Sequence, residues 1–311
     1  MFVLGLFSKD YESAGAGIAK NAPKKTGAKL FFELLGRKFW KLFEVNILYS
    51  LFFIPLILSG VLLFKLSDVN MTLALVVSLA LLLVFAVLIG PSTAGMTKIM
   101  RSYVLEKNSF IIHDFFKAFK ENFKKAAIVG FLDCLILVCV WAGYQVYPVL
   151  AQQMGSSLLY VPMVISLSLG LMVVMMNFYV FLMIIATDLS LKNLLKNSFA
   201  LAFVELKKNF ITFLIMLAII VLLVFLTIYV SIAFVFVLPF FPAAFICFLA
   251  CFNSYPVIQK YVINPYYASI GKVNPELGVD DEDDEEPIFE DMGGKEKPIE
   301  KRKKGRGKRI S

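Results

Sequence analysis

The stretch that decides the fold of this chain is residues 71–90, which read MTLALVVSLALLLVFAVLIG. It contains no charged side chain. A helix rises 1.5 Å per residue, so about 20 apolar residues are needed to cross the hydrocarbon core of a bilayer. This stretch therefore predicts a transmembrane helix.

The same apolar character recurs along the rest of the chain. Of the 311 residues, 59% are hydrophobic, and the mean hydropathy is +0.78. An ordinary soluble domain of this composition would expose more apolar surface than water tolerates. We therefore expect an all-α integral membrane bundle with six transmembrane helices. The predicted spans are residues 45–64, 71–90, 126–148, 158–187, 210–230 and 234–256.

The boundary between the fifth and sixth spans is the least marked, because residues 210–252 are almost unbroken in apolar character. Pro239 and Pro242 suit a turn or the first positions of a helix. We expect the sixth helix to start near them. The alternative is a single long kinked helix, which would place the basic C-terminus on the opposite side of the membrane.

Positive charge is sorted to one side of these spans. Of the 31 Lys and Arg residues, 30 lie before the first span, after the second, after the fourth or after the last, and Lys65 is the exception. An excess of Lys and Arg in short connections marks the cytoplasmic face. The pattern predicts a multi-pass plasma-membrane protein with both termini in the cytoplasm.

Four regions follow from this organisation. They are a cytoplasmic N-terminal segment with an amphipathic helix (1–44), a six-span membrane domain (45–256), a juxtamembrane segment (257–271) and a disordered tail (272–311). The tail carries an acidic block and a basic block in a stretch too poor in apolar residues to fold alone. The basic block would suit anionic lipid or nucleic acid, but pairing with the acidic block weakens both interactions. The lipid bilayer is the expected partner, and nucleic acid is not expected.

Three connections on the basic side alternate apolar and basic residues close to helical spacing, at residues 30–41, 113–125 and 194–210. Helices of this kind lie in the headgroup plane, with aromatic side chains inward and Lys toward the lipid phosphates. Because they precede the first, third and fifth spans, a unit of amphipathic helix plus membrane hairpin is predicted three times. The alternative is that any hairpin with a basic flank has this pattern.

Asp133 is the most informative single residue. It lies about seven residues into the third span, hence roughly 10 Å below the inner face. A charged Asp at the centre of a span costs about 2.5–3.5 kcal/mol on insertion scales, so this residue needs a partner, a cavity, water or a proton. Asn177 of the fourth span lies at similar depth and is the predicted partner. The pair is interpreted either as a proton- or substrate-handling site or as a structural tie between adjacent helices.

Residues 90–98 read GPSTAGMTK and have the glycine spacing of a phosphate-binding loop. Such a loop needs Lys and Ser or Thr directly after the second glycine, where this chain has Met96 and Thr97, and it follows a strand. We instead expect a helix stop at Gly90 and Pro91, followed by a restart capped by a hydroxyl side chain. The small residues allow close packing at the inner face.

No metal, haem or other cofactor is expected. The four cysteines lie within spans and form no CxxC pair, and His113 is the single histidine. His113 also has no Ser, Cys or second His beside it, so no catalytic residue is predicted. We therefore expect a protein that is not an enzyme.

Several stretches, in order, resemble the YesL-like family of bacterial multi-pass membrane proteins of unknown function. They are KNAPKK (20–25), FELLGRKFWKL (32–42), NILYSLFFIP (46–55), GPSTAGM (90–96), DFFKAFKENFKK (114–125) and Tyr255-Pro256. The similarity covers about residues 1–265, and the charged tail extends beyond it. It implies a plasma-membrane protein associated with carbohydrate uptake and polysaccharide utilisation, without established catalytic residues.

The functional expectation is a non-enzymatic accessory protein of carbohydrate uptake, in contact with transporter subunits or with a second copy of itself. Its predicted inner-face contact surface consists of Gly90, Pro91, Gly95, Asp114, Phe115, Phe116, Phe119, Asn122 and Phe123. The alternative is a small secondary transporter that uses Asp133 as its proton-coupling carboxyl.

Overall fold

The computed structural model describes residues 25–276, and every secondary-structure element in that part of the chain is a helix. Residues 1–24 of the predicted N-terminal segment and residues 277–311 of the predicted disordered tail lie outside the described residues. The helices are α1 (Gly27–Ser50), α2 (Ile54–Ser67), α3 (Met71–Val104), α4 (Ile111–Glu121), α5 (Phe123–Met154), α6 (Tyr160–Ala186), α7 (Leu191–Val204), α8 (Leu206–Phe225), α9 (Pro242–Ile258) and α10 (Asn264–Ser269).

Six helical segments are long and apolar enough to cross a bilayer, which confirms the predicted all-α six-span architecture. Each contains all or most of one predicted span. They are Gly27–Ser67, Met71–Val104, Phe123–Met154, Ser157–Ala186, Leu206–Val230 and Pro242–Ser269.

The basic segments meet at one end of the bundle. In the first half of α1, Arg37 Nη2 donates to Glu106 Oε2 just after α3 at 2.6 Å. At the start of α5, Lys125 Nζ donates to the Leu189 carbonyl between α6 and α7 at 2.9 Å. Successive long helices therefore run up and down, and the predicted basic connections share one face.

The predicted helix stop at Gly90 and Pro91 is wrong, because α3 continues through both residues to Val104. A proline inside a helix removes one backbone hydrogen bond, whereas a helix end within an apolar environment would leave several groups unpaired. Continuing the helix is therefore the cheaper solution. The hydroxyls predicted to cap a new helix donate backward instead, from Ser92 and Thr93 to the Ile89 carbonyl at 2.8 Å each.

The fifth and sixth spans are separate helices, not one kinked helix. Asn253 Nδ2 of α9 donates to Thr212 Oγ1 of α8 at 2.9 Å, which pairs the end of α9 with the beginning of α8 in antiparallel fashion. The sixth helix begins at Pro242, eight positions after the predicted start at residue 234. Pro242 takes the first helical position, where its missing N–H costs nothing.

The three connections predicted to be interfacial helices differ in geometry. Residues 30–41 belong to α1, which runs unbroken to Ser50. The other two are interrupted by a single corner residue, Asn122 between α4 and α5 and Glu205 between α7 and α8. The predicted repeat therefore has matching geometry at its second and third entries but not at its first.

Asn46 joins α1 to the chain that leads into α9. Its side chain is fully buried; Nδ2 donates to the Leu238 carbonyl at 2.9 Å and Oδ1 accepts from the Ala244 N–H at 2.7 Å. Ala244 lies in the first turn of α9, where backbone N–H groups have no partner within the helix. Asn46 therefore caps α9 from a different helix and closes the turn before it.

Replacing Asn46 by Ala should lower the free energy of unfolding by about 2–3 kcal/mol, since two backbone groups lose their partner at about 1–3 kcal/mol each when buried. The measurement is unfolding in mixed detergent micelles, followed by circular dichroism. Asn108→Ala, at an exposed position with no tertiary hydrogen bond among the described residues, is the control. Equal losses in the two variants would contradict the role of Asn46.

Candidate functional site

The helix that carries Asp133 is placed by a contact between two glycines. A Cβ atom added to Gly130 of α5 would lie 2.5 Å from the Gly90 backbone nitrogen, and one added to Gly90 would lie 1.9 Å from the Ala126 carbonyl oxygen. Both distances are too short for any side chain. The backbones of α3 and α5 therefore touch, less than one turn before Asp133.

α5 also packs on α6, where glycines face side chains of the other helix rather than its backbone. A Cβ atom added to Gly170 would lie 3.0 Å from Val140 Cγ2, and one added to Gly143 would lie 3.0 Å from Ser166 Oγ. This antiparallel register places Asn177 level with Asp133. The structure therefore brings together the two polar residues that were predicted to pair.

Asp133 and Asn177 line a cavity of about 590 Å³ between α3, α5 and α6, with side chains from α1 and α8 at its sides. Both residues are half-buried, and the Asn177 amide acts on the Asp133 carboxyl as a hydrogen-bonding neighbour. The rest of the lining is mainly apolar. Asp133 thus has both of the surroundings that the sequence left as alternatives, a partner and a cavity.

A second polar pair borders the same cavity and was missed in the sequence. The Tyr49 hydroxyl lies 3.1 Å from Thr93 Oγ1, which itself donates to the Ile89 carbonyl. Tyr49 is 8% exposed. No local pattern marks these residues, because they come from α1 and α3 and meet only through tertiary packing.

The lining limits the chemistry that is available. None of the described residues that line the cavity is Lys, Arg or His, so the Asp133 carboxylate has no cationic partner there. Within residues 25–276 there is also no group of three or more His, Cys, Asp or Glu side chains able to hold a metal ion. The site offers one carboxyl, one amide, a hydroxyl pair and the Cys134 thiol, a set that suits proton exchange and hydrogen bonding to a ligand.

The predicted inner-face contact surface is corrected by the structure. Four of its members, Gly90, Pro91, Gly95 and Phe115, are buried inside the chain. A Cβ atom added to Gly95 would lie 2.9 Å from the Phe115 carbonyl oxygen, so these residues dock α4 onto α3. Their small size and aromatic character serve internal packing, and these four residues are not exposed at the surface of the described chain.

The remaining members of the predicted surface lie on or after α4. Asp114 Oδ2 accepts from the Phe110 N–H at 2.9 Å, and Asn122 Nδ2 donates to the Ala118 carbonyl at 3.0 Å, so both stabilise the ends of α4. Phe119 and Phe123 are half-buried, and Phe116 is 37% exposed. Of the predicted set, Phe116 is the most available for an external contact.

Residues 42–144 match a protein family described as "Protein of unknown function, DUF624". The matched region runs from within α1 to the second half of α5 and includes Asp133, the Gly90–Gly130 contact and all of α4. No curated protein and no solved structure matches the chain. The match to this family of unknown function agrees with the resemblance to the uncharacterised YesL-like membrane proteins.

Proposed function

We propose that the protein is a non-enzymatic membrane transporter that binds a small solute in the cavity around Asp133 and couples its movement to protonation of that carboxyl. The observation that supports this is the position of Asp133, on the wall of a cavity whose described lining contains no basic residue. A carboxyl held in apolar surroundings is costly when charged, and such residues often belong to proton or substrate pathways.

Asn177 suits this role because an amide has both donors and an acceptor. It can donate to Asp133 when the carboxyl is ionised and accept from it when the carboxyl is protonated. A purely structural tie would need one of these arrangements only. The pair can therefore pass between two charge states without leaving a polar group unpartnered.

Replacing Asp133 by Asn should reduce the rate of proton-coupled uptake by about tenfold or more, because the side chain keeps its size but can no longer change charge. The full chain is reconstituted into liposomes that contain a pH-sensitive dye. Disaccharides are then supplied under an imposed pH gradient. The measurement is solute-driven proton movement.

The matched control is Asp68→Asn, the same change at an exposed position between α2 and α3. This variant should transport as well as the unmodified chain. Unchanged proton movement in the Asp133 variant would contradict the proposal, as would an unmodified chain that moves none of the solutes.

A second candidate function is that of an accessory component of carbohydrate uptake, as the family resemblance implies. It is favoured by the exposed apolar side of α4, where Phe110 is 81%, Ile112 69% and Phe116 37% exposed. In an interfacial amphipathic helix, such side chains enter the headgroup region or contact a neighbouring membrane protein. The occupant proposed here is a subunit of a sugar transporter.

Affinity purification of the full chain from native membranes should recover sugar-transporter subunits, and the double change of Ile112 and Phe116 to Ser should reduce their recovery several-fold because it removes apolar contact area. Leu158→Ser is the control, since Leu158 is 76% exposed at the opposite end of the bundle. A chain that purifies without such companions would count against this function.

The proposed orientation places the basic end of the bundle in the cytoplasm of a plasma-membrane protein. The contacts of Arg37 and Lys125 gather the basic connections at that end, and the bias of Lys and Arg sets the direction of insertion. Both termini would then be cytoplasmic.

A cysteine-free variant with Lys107→Cys or Gln153→Cys tests the orientation, since both positions are exposed and they lie at opposite ends of the bundle. A membrane-impermeant maleimide should label position 153 in intact cells, and position 107 only after the cells are opened. The reverse pattern would invert the topology, and labelling of both positions in intact cells would refute the bundle arrangement.

A further inference from the structure

A second cleft lies at the basic end of the molecule and takes no part in the proposed transport site. It has a volume of about 1250 Å³ and is formed by the α4–α5 corner, the connection between α6 and α7 and the segment that leads into α10. We refer to it as the basic-end groove. None of its lining residues also lines the Asp133 cavity.

Charged side chains of both signs line the basic-end groove. Lys120, Lys124, Glu121 and Asp188 are all exposed, and none of them forms an ion pair with another of the described residues. Lys125 differs because its Nζ donates to the Leu189 carbonyl and so holds the wall together. Three positive and two negative groups therefore line the groove, and two of each sign have no ion-pair partner among the described residues.

The remaining lining is apolar and aromatic. Ile184 and Ile263 are 3% and 8% exposed and form part of the wall, while Tyr266 is 61% exposed beside them. Tyrosine is the side chain that membrane proteins place at headgroup level, and an aromatic ring also attracts a cation. The groove thus combines an apolar wall, a tyrosine and charged side chains. This combination is complementary to the part of a lipid where the headgroup meets the glycerol.

We propose that the basic-end groove binds a phospholipid whose headgroup carries both a phosphate and a primary ammonium, the chemistry of phosphatidylethanolamine. Lys120 and Lys124 attract the phosphate, and Glu121 and Asp188 accept hydrogen bonds from the ammonium. A purely anionic headgroup would contact the lysines but offers no cation to the two carboxylates, which would face its negative charge. A trimethylated ammonium would satisfy the charge but has no N–H to donate.

The test is binding of short-chain phosphatidylethanolamine, phosphatidylcholine and phosphatidylglycerol to the delipidated full chain in detergent, measured by calorimetry. Phosphatidylethanolamine should bind about tenfold more tightly than either of the others, because only it offers both a phosphate and an N–H donor. Equal binding of phosphatidylglycerol would overturn the proposal. Equal binding of free phosphoethanolamine would replace the lipid by a soluble ligand and overturn its lipid part.

Two double variants separate the halves of the site. Lys120→Gln with Lys124→Gln should weaken all three lipids, while Glu121→Gln with Asp188→Asn should weaken phosphatidylethanolamine most, phosphatidylcholine less, and phosphatidylglycerol not at all. Lys117→Gln and Glu44→Gln are the controls, at exposed positions outside the groove. Thermal unfolding of each variant identifies any that fails to fold, and unchanged affinities in folded groove variants would refute the site.

Discussion

Backbone hydrogen bonding is the constraint on which this structure depends. Within an apolar bilayer every N–H and C=O group needs a protein partner, and a continuous helix is the simplest way to supply one. This explains why α3 passes through Pro91 with the loss of one bond rather than ending there. It also explains Asn46. Where the chain turns before α9, the Asn46 side chain donates to the Leu238 carbonyl and accepts from the Ala244 N–H. It thus replaces the partners that a continuous helix would have supplied.

The second determinant is the absence of side chains where α3 and α5 meet. Membrane helices gain little from the hydrophobic effect between them, so close backbone packing between small residues is what holds them. Gly90 and Gly130 allow that contact, while Gly143 and Gly170 make room between α5 and α6 for the side chains of Ser166 and Val140. A helix packed closely on both sides has little freedom to rotate. Gly90 and Gly130 also line the cavity together with Asp133, so this contact helps to fix the place of Asp133 in the bundle.

The sequence predicts what depends on composition and on position along a helix. Hydropathy locates the six spans, and equal depth predicts that Asn177 lies opposite Asp133. It does not predict the bonds of Asn46 to Leu238 and Ala244, because those residues are almost two hundred positions away in the chain. Nor does the sequence distinguish internal packing from an external surface. The pattern therefore predicts Gly95 and Phe115 on an external contact surface, whereas in the structure they pack against each other. Burial of this kind is decided by the tertiary arrangement alone.

The two candidate binding sites differ in electrostatics and are joined by one helix. In the cavity a single carboxyl lies in mainly apolar surroundings. Gain or loss of one proton there switches the charge of the lining between zero and minus one. In the basic-end groove three positive and two negative groups nearly cancel in sum, so ligands are distinguished by the arrangement of charge rather than by its amount. Lys125 and Asp133 are eight residues apart on α5, about 12 Å along the axis. The Gly130 contact with α3 lies between them, so any movement of α5 that follows binding in one site must either pivot on that contact or break it.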